Sequence, residues 1–159
     1  MPDGSLQNQE QSKTMLRPDV ALTFSATDAG VRGAMQTIRQ ALRTRNLEDV
    51  CLGTVEIVLA EACNNIVEHA YQYSGKGVVG LTLRYCRGLL IVELTDTGRP
   101  MPGLAPPQKK SHDLEAGLQD LPEGGFGWGL IRDMTLSLIY ERKGGRNLLR
   151  LTIEAQSGE

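Results

Sequence analysis

Residues 81–95 have the pattern of a β-hairpin, which commits this part of the chain to an antiparallel pair of strands. Apolar and polar side chains alternate through residues 81–86, and Arg87-Gly88 supplies a two-residue turn. The returning segment, residues 89–95, is almost wholly apolar, and a strand of that kind needs cover on both faces. We therefore expect residues 89–95 to form a central strand of their sheet.

Helical and strand-like periodicities divide the rest of the chain into further elements. The pattern predicts a strand at residues 20–24, helices at 29–43, 48–71 and 128–136, and a second hairpin from 138–141 and 147–153. Either Thr27 or Asp28 is a suitable N-cap for the first helix. Residues 1–18 lack periodicity, so we expect a flexible tail followed by one domain over residues 19–155.

The bulk composition excludes several classes of protein. The chain has 159 residues, a net charge of −2 and a hydrophobic share of 40%, which is not the basic balance of a nucleic-acid-binding domain. It has no apolar run of about 20 residues and no signal peptide at its N-terminus. Three cysteines and two histidines lack metal-ligand spacing. We expect a soluble, cytoplasmic protein that binds neither nucleic acid directly nor a membrane.

A polar stripe runs along the second predicted helix. Glu61, Asn65 and either Glu68 or His69 are about one helical turn apart, so they share a ridge. Asn65 offers a carbonyl oxygen of the kind that Mg²⁺ takes before completing its shell with phosphates and water. Glu61 lies in an apolar context, where a carboxylate needs a partner or a task, and it is a candidate general base. The alternative is a helix whose polar edge simply meets solvent.

The apolar strand of the first hairpin ends in Asp96-Thr97-Gly98. An ionised Asp accepts hydrogen bonds and donates none, so Asp96 at the mouth of an apolar slot suits an exocyclic amino group such as that of adenine. Gly98 would let the backbone turn close to the base. The alternative is an Asx turn that closes the strand.

Residues 97–124 are a long, proline-rich segment that has the character of a lid, and a glycine cluster follows it. Glycines alternate at Gly125, Gly127 and Gly129 just before a predicted helix, where free backbone amides bind anions. The spacing is neither that of a P-loop nor that of a dinucleotide fingerprint. The alternative is a flexible hinge that packs Phe126 and Trp128.

The order of these motifs resembles the GHKL (Bergerat-fold) ATPase superfamily over residues 20–155. Within it, the run Glu-Ala-Cys-Asn-Asn-Ile-Val-Glu-His-Ala-Tyr at residues 61–71 is most similar to the anti-sigma-factor serine kinases of the RsbW/SpoIIAB-like group. The resemblance implies an α+β two-layer fold: a mixed, mostly antiparallel sheet covered on one face by three helices. It also implies Mg-ATP as cofactor, phosphorylation of a serine on a small STAS-type anti-sigma-factor antagonist, sequestration of a sigma factor, and a homodimer.

The resemblance assigns a role to each candidate residue. Asn65 corresponds to the metal-binding Asn, Glu61 to the proposed general base and Asp96 to the adenine-binding Asp. The glycines that match those around the nucleotide are Gly98, Gly125, Gly127 and Gly129.

One feature departs from the kinase pattern, and it keeps a second function open. Kinases of this group often carry an Arg just before the lid glycines, whereas residues 120–124 contain no basic side chain. Lys109, Lys110 or Arg132 are the candidates to replace it. The alternative function is a nucleotide-gated anti-sigma module without kinase activity. A detached histidine-kinase catalytic domain ranks lowest, because neither histidine lies on a dimerisation helix.

Overall fold

The computed structural model describes residues 17–107, 125–156 and 158. The predicted tail and the lid residues 108–124 thus lie almost entirely outside the described residues. In chain order the elements are β1 (Val20–Ser25), α1 (Asp28–Arg43), α2 (Asp49–Asn65), β2 (Val78–Cys86), β3 (Leu89–Asp96), α3 (Gly125–Met134), β4 (Ser137–Lys143) and β5 (Arg146–Glu154). A π-helical turn (Ile66–Ala70) extends α2, and a 3₁₀ turn (Pro102–Leu104) follows β3.

The five strands form one sheet in the order β1-β2-β3-β5-β4. All four strand pairings are antiparallel, so within the described residues the sheet is antiparallel throughout rather than mixed. The α+β two-layer fold is confirmed, and β3 lies in the centre as its apolar sequence predicts. Alternate residues of the central strands point to the helices and are buried, among them Leu81, Leu90, Leu94, Leu151 and Ile153.

The helices pack on one face of this sheet. Thr27 caps α1, because its Oγ1 atom accepts a 3.0 Å hydrogen bond from the N–H of Gly30. Helix α1 buries a single stripe that includes Val31 and Ile38, whereas α2 is apolar on most sides and contacts both α1 and α3. Residues 49–70 are long and apolar enough to span a membrane by length and composition, but half of that segment is buried inside the fold, as in the core helix of a domain.

The second predicted helix has the expected extent, but its last turn is widened. Residues 66–70 form a π-helical turn in which the N–H of Tyr71 bonds to the carbonyl of Ile66 at 3.1 Å. Side-chain periodicity does not distinguish this hydrogen bonding from that of an α-helix. Such turns are frequent at functional sites, and this one begins directly after Asn65.

The third helix differs more from its predicted bounds of 128–136. It begins three residues earlier, at Gly125, so Gly127 and Gly129 lie inside the helix rather than in a loop before it. Glycine has a low helix propensity, but tertiary packing overrides such preferences. Here α3 packs against α2 so closely at Gly127 that a Cβ atom there would lie 2.8 Å from Oε2 of Glu61.

Candidate functional site

A cavity of about 570 Å³ lies between the end of α2, the segment after β3, helix α3, and strands β4 and β5. Asn65 and Asp96, which are 31 positions apart in the chain, both line it. The remaining lining is mainly apolar and includes Ile66, Met101 and Leu149. A concave, mostly apolar pocket of this volume with a few converging polar groups is the usual form of a small-molecule site.

Asp96 is the last residue of β3, and it is 6% exposed. Its Oδ1 atom accepts hydrogen bonds from the N–H of Gly98 (2.9 Å) and from Nδ2 of Asn147 (2.8 Å). The first bond is the Asx turn that the sequence offered as the alternative, and the same residue also lines the cavity. Burial raises the pKa of the Asp96 carboxyl, while the bonds from Asn147 and Gly98 and the charge of Arg142 act in the opposite direction.

Asn147 is a site residue that the sequence interpretation missed. It is 4% exposed and pairs in register with Asp96. Besides Asp96, its Nδ2 atom donates to the carbonyl of Arg99 at 2.9 Å, and its Oδ1 atom accepts from Tyr140 Oη and Arg142 Nη1, each at 2.6 Å. The available signal was its place at the start of the inward-facing stripe of β5, where a polar residue precedes only apolar ones.

Asn65 and Glu61 converge on α3. A Cβ atom added at Gly127 would lie 2.8 Å from Oε2 of Glu61 and 3.6 Å from Nδ2 of Asn65, so any larger residue there would displace the carboxylate. Asn65 is 9% exposed, and its Nδ2 atom is buried without a hydrogen-bond partner among the described residues. A buried donor without a partner costs about 1–3 kcal/mol of stability. Such a group calls for an explanation, and a ligand or ion that binds beside it is one.

The other three predicted glycines occupy different surroundings. Gly98 packs against the π-helical turn, since a Cβ atom there would lie 2.5 Å from the carbonyl oxygen of Ala70. Gly125 is the first residue of α3, where the backbone N–H groups of residues 125–127 lack intrahelical partners. Gly129 lies further along the same helix, and a Cβ atom there would meet open space.

Residues 97–107, called the strap below, form one wall of the cavity. The N–H of Arg99 bonds to the carbonyl of Ala70 at 2.8 Å, and the N–H of Met101 bonds to Tyr140 Oη at 2.9 Å. Arg132 holds the far end of the strap through the carbonyls of Pro106 and Pro107. Of the three cations proposed to replace the missing lid Arg, this one is therefore already engaged, and Lys109 and Lys110 lie outside the described residues.

Comparison with known proteins finds a serine/threonine kinase and an anti-sigma factor among the proteins of similar sequence. Over 102 residues the chain is 35% identical to the serine/threonine-protein kinase BtrW of Bordetella bronchiseptica, covering 62% of this chain and 68% of that protein. Over 90 residues it is 26% identical to an anti-sigma F factor of Clostridium botulinum, covering 57% of this chain and 61% of that protein.

Two solved structures share the fold. The protein in the SiaB–SiaC complex of Pseudomonas aeruginosa has a TM-score of 0.59 at 15% identity, covering 98% of this chain and all of that one. The RsbU and RsbW domains of a Mycobacterium tuberculosis protein give a TM-score of 0.57 at 17% identity, covering 88% of this chain and 33% of that one. These matches confirm the two-layer architecture.

The family itself follows from a match over most of the chain. Residues 24–153 match the family described as the histidine kinase-like ATPase domain, and this range includes every predicted site residue from Glu61 to Gly129. The resemblance to GHKL ATPases is thereby confirmed, and the kinase and anti-sigma relatives agree with the narrower group. The chain belongs to the family of histidine kinase-like ATPase domains.

Proposed function

We propose that this protein is a Mg-ATP-dependent serine kinase and anti-sigma factor of a bacterial partner-switching system. Its substrate is a serine on a small STAS-type anti-sigma-factor antagonist, and its second partner is a sigma factor. It acts as a cytoplasmic homodimer. The similarity to a serine/threonine kinase and to an anti-sigma factor supports this class of function over a binding module without kinase activity.

The observation that carries the proposal is the buried Nδ2 atom of Asn65, which has no hydrogen-bond partner among the described residues and belongs to a side chain that lines the same cavity as Asp96. The two ends of an amide group exchange by a half-turn, so either the oxygen or the nitrogen can face a ligand. A carbonyl oxygen at this position suits Mg²⁺, which binds one or two protein oxygens and otherwise phosphates and water. The residues present therefore fit a metal–nucleotide complex.

Each part of the nucleotide has residues suited to bind it. Asp96 lines the cavity, and its hydrogen bonds from Gly98 and Asn147 end on Oδ1. Among the described residues Oδ2 is thus the oxygen suited to accept from the amino group of adenine. The free N–H groups at the start of α3 suit the phosphates, and Gly127 keeps that helix close to Asn65. Mg²⁺, when bound, supplies charge neutralisation on those phosphates.

Glu61 is the residue that we propose as the general base for the attacking serine. Its Oε2 atom lies at the contact between α2 and α3, one helical turn before Asn65. As the serine oxygen bonds to the terminal phosphorus of ATP, the bond from that phosphorus to ADP breaks, and the Glu61 carboxylate accepts the serine proton. The other requirement of phosphoryl transfer is positioning, which the buried side chains of Asn65 and Asp96 provide.

Incubation of the purified protein with its cognate antagonist and Mg-ATP, followed by mapping of phosphoserine, tests this proposal. We expect one phosphoserine per antagonist molecule and no transfer when Mg²⁺ is chelated. A protein that binds both ATP and the antagonist, yet transfers no phosphate, would instead be the nucleotide-gated module, with Glu61 reduced to a structural role.

A further inference from the structure

The two ends of the strap are held by different elements. Its first half is fixed to the sheet side of the molecule, because Arg142 Nη1 and Asn147 Nδ2 donate to backbone carbonyls of residues 98 and 99. Met101 is fixed in the same way through Tyr140. The first half of the strap is thus attached to β4 and β5 and, through the N–H of Arg99, to the π-helical turn that ends α2.

The far end of the strap is attached to α3 instead. Arg132 Nε donates to the carbonyl of Pro107 and Arg132 Nη2 to the carbonyl of Pro106, both at 2.9 Å. Pro107 lines the cavity, and so does Trp128, one turn before Arg132 on the same helix. The guanidinium therefore joins the strap to the helix that contributes Trp128 to the same cavity.

We infer that Arg132 is a positioning residue that latches the strap to α3 beside the cavity and so retains bound adenine nucleotide. This inference rests on the proposed nucleotide site. Arg132 acts through the backbone of Pro106 and Pro107 and does not itself bind the phosphates.

The chemistry of the two partners suits a latch of this kind. Proline has no N–H group and a fixed φ angle, so Pro106-Pro107 offers carbonyl acceptors on a stiff segment that loses little entropy when it is held. The planar guanidinium presents several donors in a fixed arrangement and forms both bonds at once. A lysine keeps the charge but has one ammonium group, which does not reproduce the paired contact.

A latch on the strap and a clamp on the terminal phosphate predict different effects of Arg132→Gln on the affinities for ATP, ADP and AMP. The strap and Asp96, the residue proposed to bind the adenine that all three nucleotides share, line the same cavity, so loss of the latch should weaken ATP, ADP and AMP by the same factor. A clamp on the terminal phosphate would weaken ATP alone. The latch also predicts a split in the kinetics: Arg132→Gln should raise KM for ATP, while kcat for phosphorylation of the antagonist stays the same.

The test is calorimetry of ATP, ADP and AMP binding to the parent protein, Arg132→Gln and Arg132→Lys, together with steady-state phosphorylation kinetics. The matched control is Arg39→Gln, which likewise removes two short hydrogen bonds, here to Glu56 on the α1–α2 surface. We expect Arg132→Gln to weaken all three nucleotides roughly tenfold, Arg132→Lys to recover only part of that loss, and Arg39→Gln to change nothing.

Unchanged affinities in both Arg132 variants would overturn the latch, and so would a loss confined to ATP. If Arg132→Gln does not fold, Arg132→Lys keeps the aliphatic stem and the charge, and a uniform weakening across the three nucleotides remains the deciding result. Failure of the proposed function looks different. If the nucleotide site is wrong, the parent protein itself binds no adenine nucleotide. If only the kinase assignment is wrong, the parent binds nucleotide but forms no phosphoserine on the antagonist.

Discussion

Nδ2 of Asn147 on β5 donates a 2.8 Å hydrogen bond to Oδ1 of Asp96 on β3, its partner in the strand register. The same nitrogen donates to the carbonyl of Arg99 at 2.9 Å. One buried amide therefore fixes both the acceptor proposed to recognise adenine and the start of the strap that covers it. Asp96 consequently lines the cavity from a position that strand pairing and a side-chain network define together.

Replacement of Asp96 by Asn should reduce the preference for ATP over GTP. The carboxylate only accepts hydrogen bonds, so it favours the amino group of adenine, whereas an amide can also donate to the oxygen of guanine. Loss of a buried hydrogen bond to a ligand costs about 1.5–3 kcal/mol, or roughly 10- to 150-fold in affinity. Calorimetry of both nucleotides measures the change, and equal ATP affinity in the variant and the parent would rule out the adenine assignment.

The affinity for ATP should also depend on pH through Asp96. Burial raises the pKa of this carboxyl, so ATP binding should weaken as the pH falls through a value above that of an exposed Asp. The folded state binds this proton more tightly than the unfolded state does. The stability from Asp96 is therefore present below its unfolded pKa and is lost as the pH rises through the folded pKa.

Denaturation of the parent and Asp96→Asn at a series of pH values measures that linkage. The variant has no proton to bind at this position, so its stability relative to the parent should increase as the pH rises through the titration of Asp96. For the pH dependence of ATP binding, the control is Asp49→Asn, at an exposed position in the first turn of α2, which should leave ATP affinity unchanged. A stability difference between parent and Asp96→Asn that does not vary with pH would contradict the raised pKa.

Asn65→Leu should stabilise the nucleotide-free protein and abolish its response to Mg-ATP. The change removes a buried donor that has no partner and keeps a side chain of similar shape, so the free energy of unfolding should rise by about 1 kcal/mol. Asn64→Leu, at the neighbouring exposed position, is the matched control and should still be stabilised by Mg-ATP. Thermal denaturation with and without Mg-ATP compares them, and a preserved shift in Asn65→Leu would remove Asn65 from the site.

Gly127→Ala should lower the rate of phosphoryl transfer without unfolding the protein. The added methyl group would lie 2.8 Å from Oε2 of Glu61, the flexible end of that side chain, so the carboxylate moves and the fold remains. Gly53→Ala in α2 meets no atom within 4 Å, and it should only gain helix stability, about 1 kcal/mol. Steady-state kinetics and denaturation of both variants separate the effects. Full activity in Gly127→Ala would show that Glu61 tolerates displacement.

Much of the fold follows from local sequence patterns. The alternation in residues 81–86 and the apolar run in 89–95 predict the central hairpin, and the carboxylate that ends this run is found lining the cavity. Two features of the helices do not follow from such patterns. The π-helical turn after Asn65 has five residues, too few for the sequence to show a period different from that of an α-helix. Helix α3 begins at Gly125, within glycines whose low helix propensity favours a later start.

The contacts that complete the site are between residues far apart in sequence. The periodicity of a sequence does not indicate which distant residues meet in the fold. Asn147 and Asp96 are 51 positions apart, and only the β3–β5 register brings them together. Arg132 was noted from the sequence as a possible phosphate-binding cation. The structure instead places its donors on the carbonyls of Pro106 and Pro107, which no side-chain pattern reveals.

The most direct test of the proposed mechanism is phosphoserine formation on the cognate antagonist at saturating Mg-ATP, measured for the parent protein and for Glu61→Gln. The variant keeps the size of the side chain and removes its basic oxygen, so it should bind ATP normally and transfer phosphate about 100- to 10,000-fold more slowly. Full activity in Glu61→Gln would contradict the role of Glu61 as general base. A parent protein that binds ATP and the antagonist but forms no phosphoserine would contradict the kinase assignment itself.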